Sequence, residues 1–108
     1  MSSDVAGSNC KVDCTLSGWS IPSISLANGV EMPMISLGTW QYNATEVDEA
    51  VKNAFTAGFT HVDTANDYNN QVAVGAAIRA YADSVDGKVF LTTKIPACTV
   101  ADADCKAT

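Results

Sequence analysis

Alternation between short apolar runs and amphipathic stretches is the feature that most constrains the fold of this chain. Two stretches repeat apolar residues at helical spacing, one between Thr45 and Gly58 and one over about 70–82. Three runs of strand type alternate with them, at 34–37, 59–63 and 88–94. Strands that alternate with helices in this way predict an α/β fold with a parallel sheet covered by helices.

The ends of the first helix carry recognisable signals. Thr45, with Asp48 three residues later, resembles a capping box in which Asp replaces the usual Glu. Gly58 stands where a C-terminal cap is expected. The face expected to be buried comprises Val47, Ala50, Val51, Ala54 and Phe55 on this helix, and Val74, Ile78 and Tyr81 on the second.

A β-hairpin is predicted before the first parallel strand. Alternating residues at 24–26 and 30–32 flank Asn28-Gly29, a pair that suits a turn with positive φ at both positions. Residues 1–22 are rich in Ser, Gly and Asp and show no period, so we expect a disordered extension followed by a domain over 23–108.

Length and charge exclude several functional classes. The chain has 108 residues, enough for one domain, and a net charge of −6, which argues against nucleic-acid binding. It has no run of about 18 apolar residues, as a membrane span requires, and its start does not resemble a secretory signal. We therefore expect a cytoplasmic protein with no membrane partner.

The four cysteines do not match a metal-binding pattern. Cys10 and Cys14 are separated by three residues, and Cys98 and Cys105 by six, whereas zinc ribbons use two-residue spacings. Free thiols and disulfides in an oxidising compartment are both open from the spacing. No metal site is expected.

Polar residues cluster where the predicted parallel strands end. Gly38-Thr39-Trp40 follows the first strand, Asp63 ends the second, with Tyr68 in the next loop, and Lys94 ends the third. Ligands of parallel α/β folds bind at these strand ends. A lysine ammonium near a phenol favours the phenolate and lowers the pKa of the phenol, which suits proton donation to a carbonyl oxygen. Taken alone, three such residues at strand ends fit structural polar groups as well as a catalytic site.

The stretch from Gly58 to Gly75, GFTHVDTANDYNNQVAVG, resembles the motif of the aldo-keto reductase family. The segments NGVEMP at 28–33, LGTW at 37–40 and VFLTTK at 89–94 also resemble that family, in the same order. The resemblance covers roughly residues 24–96. It implies the N-terminal part of a (β/α)8 TIM barrel, preceded by a β-hairpin, and the use of NADPH without a Rossmann motif.

Carried onto this sequence, the resemblance implies that Tyr68 is the proton donor in the reduction of a small-molecule carbonyl substrate. Lys94 would lower the pKa of Tyr68, and Asp63 would support that pair and contact the nicotinamide ribose. Gly38 and Thr39 would lie beside the cofactor.

Five other residues are given looser expectations. By the same resemblance, Trp40 would border the substrate pocket. Tyr42 is either a second residue of that pocket or a surface aromatic. His61, the one histidine of the chain, is expected to be a structural strand residue, and Met32 and Met34 to be packing residues.

Some family features fall outside these 108 residues or differ within them. Thr60 stands where the family usually has Arg, and Gln71 where Glu is common. A complete barrel needs about 250 residues, and the family's catalytic histidine lies on a fourth strand. We therefore expect a truncated chain that is marginally folded and inactive when isolated. The alternative is a non-enzymatic remnant of such a gene. The sequence predicts neither the substrate nor the oligomeric state.

Overall fold

The structure is a computed structural model that describes residues 20–96. All four cysteines, and most of the predicted extension over 1–22, lie outside this range. The predicted order of hairpin, strand, helix, strand, helix and strand is confirmed. The elements are β1 (Ser23–Ser25), β2 (Glu31–Pro33), β3 (Leu37–Gly38), α1 (Ala44–Ala57), β4 (His61–Asp63), α2 (Gln71–Tyr81) and β5 (Phe90–Thr92), with 3-10 turns at Asn66–Tyr68 and Ala82–Val85.

The hairpin pairs β1 and β2 antiparallel, with Ile24 opposite Met32. Its turn differs from the prediction, because only Gly29 has positive φ, at 85°, whereas Asn28 does not. The Leu26 amide donates to the Val30 carbonyl at 2.8 Å, so three residues rather than two form the loop. Asn28 instead accepts a hydrogen bond from the Val30 amide through its side chain, at 3.0 Å.

The second sheet has the order β3-β4-β5 and is parallel throughout, as predicted. Pairing between the last two strands continues beyond their ends. The Thr64 amide donates to the Thr92 carbonyl at 2.8 Å, and the Asn66 amide donates to the Lys94 carbonyl at 3.0 Å. This continued pairing holds the segment after β4 beside the segment after β5.

The N-cap of helix α1 is Asn43, two residues earlier than the predicted cap at Thr45. Asn43 accepts from the Glu46 amide, and the Glu46 carboxylate accepts from the Asn43 amide, at 2.9 and 2.8 Å. The expected box at Thr45 and Asp48 is therefore wrong, since Asn is the stronger N-cap and Glu the usual partner. The C-terminal cap is confirmed at Gly58, where φ is 99°.

The core lies between the two helices and one face of the sheet. Its buried residues are Val47, Val51, Phe55, Val62, Val74 and Ala77. The Tyr81 hydroxyl, on the edge of this core, donates to Asp48 at 2.9 Å and joins α2 to α1.

The first parallel strand is shorter than its apolar run predicts. Only Leu37 and Gly38 pair with β4. Met34 is 60% exposed and Ile35 is 47% exposed, so the expectation that Met34 packs in the core is wrong. Residues 34–36 connect the hairpin to the sheet, and all three are exposed.

Candidate active site

Three segments converge at the carboxyl ends of β4 and β5. Asp63 is the last residue of β4, Tyr68 ends the 3-10 turn that follows, and Lys94 lies two residues beyond β5. The continued backbone pairing between these segments sets their spacing. The structure therefore brings together the three residues that the sequence analysis placed at one rim.

The Lys94 ammonium is the centre of this cluster. It donates to both carboxylate oxygens of Asp63 at 2.8 Å, to the Thr64 carbonyl at 3.0 Å and to the Tyr68 hydroxyl oxygen at 3.2 Å. Its nitrogen also lies 5.0 Å from the centre of the Tyr68 ring. Four acceptors thus share three N–H donors.

This arrangement has a direct consequence for Tyr68. An ammonium can only donate, so it occupies a lone pair of the Tyr68 oxygen and leaves the phenolic proton free to point elsewhere. If that proton leaves, the same ammonium stabilises the negative oxygen. The geometry therefore leaves the phenolic hydrogen of Tyr68 available for a hydrogen bond to a neighbouring acceptor.

The charge of Lys94 is secured by its surroundings. The hydrogen bond to Asp63 raises the pKa of Lys94, desolvation opposes this, and the bond to Tyr68 adds to the rise. The side chain of Lys94 is 48% exposed and that of Asp63 is 27% exposed, so solvent screens the pair. We conclude that Lys94 is an ammonium throughout the neutral range.

The residues after β3 support this cluster from the side. Thr39 is fully buried, and its hydroxyl donates to the Asp63 carbonyl at 2.9 Å. Its side chain thus braces the end of β4 rather than facing open space. Gly38 lies opposite Asp63 in the register, and a Cβ placed on Gly38 would meet no atom within 4 Å. The space beside Asp63 on that side is open.

Trp40 stands on an exposed turn next to Thr39. It is 64% exposed. The Tyr42 amide donates to the Thr39 carbonyl at 3.3 Å, and Gln41 between them has φ of 67°. These features are those of a type II turn, in which the third position usually carries Gly.

Tyr42 borders a different space. It is 38% exposed and lines a groove of about 620 Å³ between the first residues of α1 and of α2. Neither Trp40 nor any of Asp63, Tyr68 and Lys94 lines that groove. In this groove Tyr42 is thus separate from the cluster of Asp63, Tyr68 and Lys94.

Asn70 is the residue of this region that the sequence analysis missed. It is 7% exposed, and its amide bonds to the Thr39 and Tyr42 carbonyls and to the Thr64 hydroxyl. In the sequence, an Asn directly before a predicted helix indicates only an N-cap. Bonds to residues about 30 positions away in sequence leave no local pattern.

His61 has the structural setting expected of it. Its Nδ1 lies 2.8 Å from the Pro33 carbonyl, its Nε2 lies 2.7 Å from the Thr92 hydroxyl, and its ring meets Phe90 edge-on. A carbonyl accepts only, so Nδ1 carries a proton. His61 thereby connects the hairpin to β5.

Residues 20–96 contain neither of two other kinds of site. No helix among these residues is long and apolar enough to cross a membrane. Within the same range, no group of three or more His, Cys, Asp or Glu side chains could hold a metal ion.

Parallel βα units that carry polar side chains at the carboxyl ends of their strands are the repeating units of a (β/α)8 barrel. A family model described as the aldo/keto reductase family matches residues 34–107. The chain belongs to the aldo/keto reductase family.

Individual relatives agree with this assignment. The chain is 41% identical over 78 residues to the morphine 6-dehydrogenase of Pseudomonas putida, covering 71% of this chain and 26% of that protein. A Bombyx mori aldo-keto reductase solved with NADP matches with a TM-score of 0.60 and 31% identity over 68% of this chain and 27% of that one. An aldo/keto reductase of Brucella melitensis matches with a TM-score of 0.60 and 36% identity, covering 68% and 28%. The chain thus spans about a quarter of the length of these relatives.

Proposed function

We propose that this chain supplies the proton-donating half of an active site that reduces aldehydes or ketones with NADPH. The observation that carries the proposal is the Lys94 ammonium, which bonds Asp63 and the Tyr68 oxygen at the same time. Membership of the aldo/keto reductase family and the NADP bound by the Bombyx mori relative support it.

In the proposed reaction, Tyr68 donates its phenolic proton to the carbonyl oxygen of the substrate. Lys94 stabilises the phenolate that remains, because its N–H already points at that oxygen, 3.2 Å away. Asp63 keeps the ammonium in this place through two bonds. Each side chain thus has one role, and hydrogen bonds through Lys94 connect the three side chains.

The residues at the rim fit the nicotinamide–ribose end of NADPH, which when bound supplies the hydride. Asp63 can accept a hydrogen bond from a ribose hydroxyl, because its two bonds to Lys94 leave further lone pairs of the carboxylate available. Gly38 leaves open space on the same side. Thr39 contributes by bracing Asp63, and Trp40 would form a wall for the substrate.

The decisive experiment uses a full-length chimera, because the chain spans about a quarter of its relatives. Residues 34–96 replace the matching segment of the Brucella melitensis aldo/keto reductase. Turnover of a panel of small aldehydes is followed by NADPH absorbance. Tyr68→Phe is expected to lower kcat by about a hundredfold or more, because it removes the proton donor, while NADPH still binds.

Tyr81→Phe is the matched control, since it removes a hydroxyl that bonds Asp48 on the outer helices. It is expected to leave kcat unchanged. Equal turnover by the Tyr68→Phe chimera would disprove the role of Tyr68. A folded chimera that binds NADPH, retains Tyr68 and reduces none of the aldehydes would disprove the proposed activity.

A further inference from the structure

We propose that Asn70 is a positioning residue that fixes the Trp40 turn relative to Tyr68 and so sets the width of the substrate site. The inference rests on the proposed function, because it takes Trp40 as a wall of that site. Asn70 contacts none of the reacting groups and acts through the backbone of the turn.

The contacts of Asn70 join two separate segments. Its side-chain nitrogen donates to the Thr39 carbonyl at 2.8 Å and to the Tyr42 carbonyl at 3.1 Å. Its side-chain oxygen accepts from the Thr64 hydroxyl at 3.3 Å. Thr64 is also the residue whose carbonyl accepts from Lys94. One buried amide thus bonds the turn on one side and the proton-donating cluster on the other.

The turn that Asn70 holds needs support. Gln41 has φ of 67°, a left-handed conformation that favours Gly, so the turn persists only where its surroundings impose it. Thr39 and Tyr42 are the first and last residues of this turn, and theirs are the carbonyls that Asn70 binds. Trp40 lies between them, so these two bonds determine its location.

A comparison within the chain shows that Asn70 serves the turn rather than its own helix. Asn43 and Asn70 both occupy the N-cap position of a helix. The Asn43 side chain accepts from the Glu46 amide, as an N-cap normally does, whereas Asn70 makes no side-chain cap bond. Its nitrogen instead donates to the Thr39 and Tyr42 carbonyls, and its oxygen accepts from the Thr64 hydroxyl.

The chemistry of the position calls for a carboxamide. Two carbonyls must receive N–H donors, and one hydroxyl must meet an acceptor. Ser, Thr and Asp, the other good N-caps, do not offer two donors and an acceptor in one short side chain. Asn70→Asp keeps the size of the side chain but places a carboxylate against two carbonyl oxygens, so it tests the bonds directly.

The first measurement uses the 108-residue chain with Trp19→Phe, which leaves Trp40 as its one tryptophan. Asn70→Asp is expected to change Trp40 fluorescence and the NMR signal of its indole N–H at neutral pH, in a chain that remains folded by circular dichroism. Acidification should return both signals toward the parent, because a protonated carboxyl can donate to a carbonyl. Asn53→Asp, an equal change on the exposed side of α1, should alter neither.

A second substitution tests whether strain at Gln41 is the reason for the bond. Gly adopts the left-handed conformation without the steric cost that Gln has. Gln41→Gly in the Asn70→Asp background is therefore expected to restore part of the Trp40 signal. If Asn70 only stabilised the core, Gln41→Gly at the exposed turn would not restore the Trp40 signal. Absence of both the pH recovery and this rescue would overturn the inference.

The chimera described above supplies the kinetic test. Asn70→Asp is expected to raise KM for the aldehyde about tenfold and to change kcat by less than about threefold, since it moves a wall and not the proton donor. Unchanged KM with reduced stability would show that Asn70 is only structural. If instead Tyr68→Phe leaves kcat intact in the same chimera, the proposed function fails first, and the two failures are thereby distinguished.

Discussion

The two faces of the β3-β4-β5 sheet are built from alternate residues of the same strands, yet one face makes apolar contacts and the other makes polar contacts. Val62, in the middle of β4, is fully buried against the helices. Its neighbours His61 and Asp63 point to the opposite face and make polar contacts. A shift of one residue in register would exchange the two sets.

The difference teaches that apolar packing and directed polar contacts are located on separate faces. The helix-covered face removes apolar area from water, which is the main source of folding free energy. The open face makes a small number of directed hydrogen bonds, several of them exposed to solvent, which contribute less to stability. Substitutions should therefore separate into two classes according to face.

The largest effect is expected from truncation on the covered face. Phe55 is 3% exposed in the core, so Phe55→Ala should lower the free energy of unfolding by about 3–5 kcal/mol. That amount is comparable with the whole stability of a small domain, about 5 kcal/mol at the low end. Urea unfolding followed by circular dichroism should show a weak transition or none.

Leu91 offers a matched test of why the covered face is stable. It lies opposite Val62 in the register, on the same side of the sheet, but is 50% exposed. Leu91→Ala should therefore shift the urea midpoint far less than Phe55→Ala. Equal losses from the two truncations would contradict the view that helix cover, and not the side of the sheet, determines stability.

A smaller effect is expected from His61 on the open face. His61→Leu leaves the Pro33 carbonyl and the Thr92 hydroxyl without their partner, which should cost about 1–3 kcal/mol in the free energy of unfolding. Thr92→Val removes only one of the two bonds and should cost less. A urea midpoint that moves equally in both variants would show that the link to the hairpin contributes nothing.

The smallest effect is expected from alkaline pH. The pKa of Lys94 is raised above its ordinary value of 10.5, chiefly by its bond to Asp63, and that of Tyr81 above 10.0, chiefly by its bond to Asp48. Both contributions to stability are complete below those ordinary values and are lost as pH rises through the raised ones. Melting temperature should fall slightly faster above pH 10 in the parent than in Lys94→Met or Tyr81→Phe. If melting temperature falls equally with pH in the parent and in both variants, neither bond contributes to the stability of the chain.

Prediction from sequence succeeded where a local pattern and a physical cause coincide. The helices, the parallel order and the convergence of Asp63, Tyr68 and Lys94 follow from periodicity and from the rule that strand ends share one edge. The cap of α1 was misplaced because two candidate boxes overlap, at Asn43 and at Thr45. Stronger capping by Asn, together with the reach of Glu46, decides between them.

Two features of the site could not be predicted because their partners are distant in sequence. The hydroxyl of Thr39, which was expected to lie beside the cofactor, donates to the Asp63 carbonyl, 24 positions away. Asn70 carries the local signature of an N-cap and uses none of it. Side chains that bond the backbone of another segment give no periodic signal, so a single sequence does not reveal them.

The backbone bonds that extend the pairing of β4 and β5 past their ends have a consequence for the lifetime of the site. The amides of Thr64 and Asn66 are bonded to the segment that carries Lys94, so their hydrogens should exchange with solvent at the rate of the strands and not of a loop. Deuterium would then enter these two positions only when the sheet itself separates. The backbone that carries Asp63 and Lys94 should accordingly keep its spacing as long as the two strands stay paired.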